Sequence, residues 1–177
     1  MNGHGLPAFI DPQRLAAGNR TLSGSVATRN MSRLHEAVLT ADEQVRVALW
    51  FAPHGECRGE IGGTVELTVR LQCQRCLHPV AVRLAPEVRL GLVQSEDQAD
   101  QLPAELEPML VHDDQCRLQD LVEDELLLAL PLVPMHSADS PDCIQMESGA
   151  RPEVEAGSAG HDRKQPFHEL AALKKKQ

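Results

Sequence analysis

The chain has no tyrosine, one tryptophan and three phenylalanines in 177 residues. With Trp50, Phe9, Phe51 and Phe167 as the whole aromatic set, the core must be built from leucine, valine and alanine. The scarcity also argues against a row of stacking platforms for single-stranded nucleic acid. Lysine is absent until Lys164, and all four lysines fall in the last fourteen residues. No apolar run is long enough to span a membrane, because the densest one, 126–135, is short and broken by Pro131 and Pro134. The first thirty residues carry no apolar signal core. The expected compartment is therefore the cytoplasm. There the five cysteines are thiols or metal ligands rather than structural disulfides.

The net charge is −9, and it is unevenly spread. Residues 1–95 hold ten arginines against eight carboxylates, whereas the remainder holds seven basic groups against eighteen acidic ones. An acidic total excludes a non-specific coat for DNA, which needs a broad basic face. The length suits one domain with tails or two small domains, and it is large enough for a core without obligatory staples.

Pro12 to Ala17 reads as a short helix, with Asp11 before it and Gly18 after it. Thr21–Thr28 is a short strand, and Ser32 can cap a turn or two of helix through Leu39. Val45, Val47, Leu49 and Phe51 alternate with polar or small residues, as a half-buried strand does. Val65, Leu67, Val69 and Leu71 do the same, and after the turn CQRCLHP so do Val80, Val82, Leu84, Val88, Leu90 and Leu92. Pro86 requires an edge or a bulge, and Gly62-Gly63 a bend. Two strands joined by a short turn form an antiparallel hairpin. With a short strand near Met109–His112, the expected fold is α+β: a curled antiparallel meander or barrel-like sheet packed by one amphipathic helix, within residues 1–137. Residues 95–107 read as an acidic loop, 138–163 as a disordered acidic linker poor in large apolar groups, and 164–177 as a short C-terminal helix with a basic tail.

The packing helix is expected over 117–130, where Leu118, Leu121, Val122, Leu126 and Ala129 recur at helical spacing before Pro131. Glu125 falls within that apolar stripe, while Glu123 and Asp124 fall outside it. Leu127 lies opposite the stripe, which implies cover on more than one side. A carboxylate on an apolar stripe needs a partner. Glu125 is therefore either paired with an arginine of the sheet, placed at the stripe's edge, or functional. No Ser-His-Asp set or carboxylate pair accompanies it, so an enzyme is not expected.

Cys73 and Cys76 sit at the hairpin tip, where two thiolates can aim at one point. His136 and Cys143, just past the apolar run, can supply the other half of a tetrahedral zinc site. Two alternatives stay open: structural thiols, or a redox pair. The strand on both sides of the motif is unlike the strand-to-helix junction of thioredoxin-type pairs. Cys57 and Cys116 have no partner at useful spacing. Near the end, Pro166 can start a helix that places Phe167, Leu170 and Leu173 on one face, a docking element for its own domain or for a partner.

Three ordered motifs, LQCQRCLHPV, VEDELLLALPLVPMH with a cysteine following, and QPFHELAALK, together resemble the bacterial YceD family of large ribosomal RNA subunit accumulation proteins. Ile10-Asp11-Pro12 fits as well. The resemblance implies a non-catalytic role in synthesis, processing or stability of 23S ribosomal RNA. It also implies partners among ribosomal RNA and large-subunit assembly intermediates, while the short apolar runs and the acidic total are what speak against a membrane or DNA. Similar members carry more cysteines after the Leu-Pro motif, where this chain has His136 and Cys143. Arg70, Arg75, Arg83 and Arg89 are the candidates for facing RNA phosphates. The competing reading is a protein-interaction module that binds a ribosomal protein or an RNA-processing enzyme and never touches RNA.

Overall fold

The computed structural model describes residues 6–55, 57–111, 115–137 and 139–144. Its spine is one long strand, β5 (Glu60–Gln72), against which most of the sheet is built. Ahead of it in the chain come β1 (Phe9–Ile10), α1 (Pro12–Ala17), β2 (Thr21–Ala27), α2 (Ser32–Ala37), β3 (Thr40–Ala41) and β4 (Gln44–Ala52). After it come β6 (Pro79–Leu84), β7 (Glu87–Val93), α3 (Glu96–Ala99), β8 (Glu107–Leu110), β9 (Cys116–Arg117), α4 (Leu118–Leu128) and α5 (Pro141–Ile144).

The main sheet runs β2-β4-β5-β7-β8 and is open, with β3 and β6 completing β5 at its far end. β5 can serve two sets of neighbours because it bends at Gly62-Gly63, where Gly63 takes a φ of +140° that side chains rarely adopt. Its first half pairs with β4 and β7, its second half with β3 and β6. Pro86 marks the changeover between β6 and β7, and its carbonyl accepts from the Val65 amide at 3.4 Å. The bend and the proline break are two sides of one kink.

The pairings are antiparallel with one exception: β7 and β8 run parallel, Leu90 opposite Glu107 through Val93 opposite Leu110. A parallel neighbour needs a crossover of about a dozen residues. Residues 94–106, which include α3, are that crossover rather than a plain loop.

Alternation buries one face. Val45, Val47, Leu49, Phe51, Ile61, Val65, Leu67, Val69 and Leu71 line it from β4 and β5. Leu118, Leu121, Val122 and Leu126 of α4 join the same core. The helix is two residues shorter at its end than the apolar pattern suggested, with Ala129 as its C-cap. α2 covers its other side, where Arg33 holds Glu123 and Asp124. α1 is as the sequence specifies, with the Asp11 carboxylate accepting from the Arg14 amide and Gly18 closing it. α2 begins without a side-chain cap, Met31 rather than Ser32 standing at its N-cap. On the outer face Trp50 lies flat across Gly62, where an added Cβ would collide with the indole.

Candidate metal centre

The loop from Cys73 to His78 closes on itself. The Cys73 amide donates to the His78 carbonyl and the Leu77 amide to the Cys73 carbonyl, both at 2.9 Å. Leu77 takes a positive φ of 63° to complete the turn. Both thiols thereby face inward, and both are buried.

The exit from α4 meets this tip. The Gln74 amide donates to the Pro134 carbonyl at 2.9 Å, which sets His136 against Cys76 with Nδ1 at 3.4 Å from Sγ. Beyond it the Ser140 amide donates to the Ser137 carbonyl and the Cys143 amide to the Ser140 carbonyl. The short turn of α5 so formed brings Cys143 Sγ to 3.9 Å from Cys73 Sγ. The segment read as an acidic linker from residue 138 therefore begins with a folded turn that buries Cys143.

The four donor atoms of Cys73, Cys76, His136 and Cys143 lie within 4.8 Å of one another. Zinc–sulfur bonds near 2.3 Å in a tetrahedron set a sulfur–sulfur edge of about 3.8 Å, and a sulfur–nitrogen edge slightly shorter. The separations of 3.9 Å and 3.4 Å match those edges. All five cysteines of the chain are free thiols.

The electrostatics suit a thiolate centre. Burial pushes the Cys73 thiol up, but amides of Cys76, His136 and Arg75 and the His136 ring donate to its sulfur and hold it down at about 5. Burial raises Cys76; the His78 amide lowers it, and the neighbouring sulfurs of Cys143 and Cys73 raise it further. Two thiolates resist sharing one site until a cation joins them.

Arg75, expected to face RNA, is exposed at the tip. Its Nε donates to Cys143 Sγ at 2.9 Å and its terminal nitrogen to the Ser137 carbonyl at 3.3 Å. Nothing in the spacing signals this, because it depends on where α5 returns. Of the other arginines in that set, Arg83 sits 3.1 Å from Glu66. Arg89 is 3.3 Å from Glu60 Oε1, without hydrogen-bond alignment. Arg70 is exposed opposite Thr40 and Ala81. Two cations that the sequence reading passed over, Arg14 and Arg20, line a cleft of about 510 Å³ with exposed Phe9.

Glu125 is buried on α4, and the ion pairs found among the described residues give it no arginine. Burial, then the charges of Glu107 and Asp124, raise its carboxyl above the ordinary value. The arginine goes to Glu123, on the opposite side of the helix, which also accepts from the Leu34 amide at 3.0 Å. Phe167, Leu170 and Leu173 lie outside the described residues. No helix among the described residues is long and apolar enough to cross a membrane.

Fold and site define a small α+β protein in which a hairpin tip and a distant C-terminal turn converge on a Cys₃His cluster. The YceD family profile, described as large ribosomal RNA subunit accumulation protein, matches residues 61–174, a span that holds both halves of the cluster. The chain is 36% identical over 174 residues to the large ribosomal RNA subunit accumulation protein YceD of Haemophilus influenzae, covering 97% of each chain. The chain belongs to the YceD family. No solved structure matches it.

Proposed function

We propose that this protein is a non-catalytic cytoplasmic factor that supports accumulation of 23S ribosomal RNA during assembly of the large subunit. The observation that carries this reading is the likeness, across 97% of both chains, to a relative named for large ribosomal RNA subunit accumulation.

On this reading Cys73, Cys76, His136 and Cys143 hold a structural zinc ion. The set is closed, with four protein donors and no open position for water. Such an ion supplies a crosslink and no reaction chemistry. The protein's own groups do the rest: the hairpin tip orients two sulfurs, Pro134 docks on Gln74, and Arg75 offsets part of the charge of three thiolates. Direct RNA contact is carried by outward arginines, Arg70, Arg83 and Arg89 on the sheet and Arg14 with Arg20 beside Phe9.

The test is genetic and analytical. Deleting the gene should lower 23S relative to 16S ribosomal RNA. The wild-type gene should restore the ratio, and the purified protein should carry one zinc per chain. A ratio indifferent to deletion sinks the ribosomal reading. Metal-free protein purified under reducing conditions sinks the zinc.

A further inference from the structure

Four large apolar side chains stand in solvent where α4 ends. Leu128 is 74% exposed and Leu132 99%, and Val133 and Met135 are each more than half exposed. This is no frayed terminus. The Pro134 carbonyl is held by the Gln74 amide, and His136 follows directly into the Cys₃His cluster. Pro131 and Pro134 stiffen the backbone between. The ridge is thus fixed at one end by a packed helix and at the other by the hairpin tip. Beside it runs a groove of about 350 Å³ walled by Leu39, Leu71, Leu130 and Pro134, with Glu36 also lining it. Leu39 is itself more than half exposed. An apolar surface of this kind, held rigid in water, marks an interaction site, and rigidity lowers the entropy cost of using it.

Charge selects the occupant. Residues 96–144 contain thirteen carboxylates and a single cation, Arg117. Asp124, one turn before Leu128, is already paired with Arg33, which leaves Glu36, lining the groove, as the carboxylate beside the ridge. Among the described residues no arginine or lysine lines the groove, whose polar side chains are Glu36, Gln72 and Gln74, so its one charged group is a carboxylate. A second copy would bring another net charge of −9. A cationic polypeptide is drawn in.

We infer that this ridge and groove dock a lysine- or arginine-rich segment of a second protein, whose bulky apolar side chains cover Leu128, Leu132 and Val133. The inference rests on the large-subunit reading, which supplies a setting rich in basic RNA-binding proteins. The partner would sit on the acidic side while the arginines remain turned to RNA.

The full chain and its Leu132→Asp/Val133→Asp variant are each immobilised and offered the protein fraction of purified large subunits, freed of ribosomal RNA. Matched melting temperature and zinc content establish that the variant is folded. The expected result is that wild type retains an identified basic protein. Titrated as a pure component, that protein should bind the variant at least about tenfold more weakly, and its affinity for wild type should fall with salt. Equal retention by both chains, or no basic protein on wild type, overturns the inference. So does a ridge that takes up the chain's own segment 164–177, added as a peptide to a chain truncated after Arg163, while the truncated chain binds no basic protein. A dimer that the double variant splits would likewise assign the ridge to a second copy. In cells, a double variant that restores 23S ribosomal RNA as well as wild type overturns the ridge alone. A wild-type gene without effect on 23S overturns the parent reading.

Discussion

Arg75 Nε donates to Cys143 Sγ across 2.9 Å, joining the hairpin tip to a turn 68 residues later. A guanidinium in this place lowers the cost of gathering three thiolates and fixes the last of them. Arg75→Ala should weaken zinc retention by about 10–100-fold, the range for lost outer contacts of a metal site. Competition with a chromogenic chelator measures it. Arg75→Lys should not rescue, because an ammonium lacks the planar fork that reaches both Cys143 and Ser137.

Removing the metal, or replacing Cys76 with Ser, should free the exit segment and leave the sheet intact. Hydrogen exchange should accelerate at Gln74 and Cys143, whose amides are bonded within the clasp, while amides of β4 and β5 stay protected. Uniform loss of protection would mean that the clasp holds the whole fold.

Arg33 and Glu123 are an asymmetric pair, half exposed and buried respectively. Arg33→Ala strands a buried carboxylate and should be the more destabilising change of the two. Glu123→Gln keeps an acceptor for the Leu34 amide and should cost about 1 kcal/mol. Urea melts of both variants test the order, which a simple salt-bridge account would not produce.

Glu125 gives a pH signature of the opposite sign from most carboxylates. Its folded value is raised, by burial first and then by Glu107 and Asp124. Below the ordinary glutamate value the group is neutral in folded and unfolded chains alike, and its contribution is fully present. As pH rises through the raised value it ionises in an apolar site, and stability falls. Glu125→Gln should remove that fall and raise the melting temperature at pH 7. An unchanged pH profile would refute the assignment.

Arg14→Ala/Arg20→Ala should flatten the salt dependence of binding to single-stranded ribosomal RNA by about 1.4 in the log–log slope, two phosphates' worth. An unaltered slope removes that cleft from the RNA contact.

Much of this was legible in the residues. The period of two over Val45–Phe51 and Val65–Leu71 located the strands, and α1 was specified to its caps. His136 and Cys143 were visible as partners for Cys73 and Cys76, because few cysteines and histidines flank the apolar run. The Arg75 contact to Cys143 and the pairing of Glu123 were missed for a shared reason: each side chain's partner is set by a tertiary approach, of α5 or of α2, that no local period encodes. The parallel pairing of β8 was hidden likewise, since a crossover without strong apolar rhythm reads as a loop.

Trp50 across Gly62 has a practical consequence. With no tyrosine in the chain and no second tryptophan, near-ultraviolet emission comes from this one indole, partly open on the outer face. The hairpin tip lies ten residues further along β5, roughly 30 Å at strand rise. Fluorescence therefore reports on whatever lands beside Arg89 on the sheet, and a change at the Cys73 tip lies too far along the strand to be confused with it.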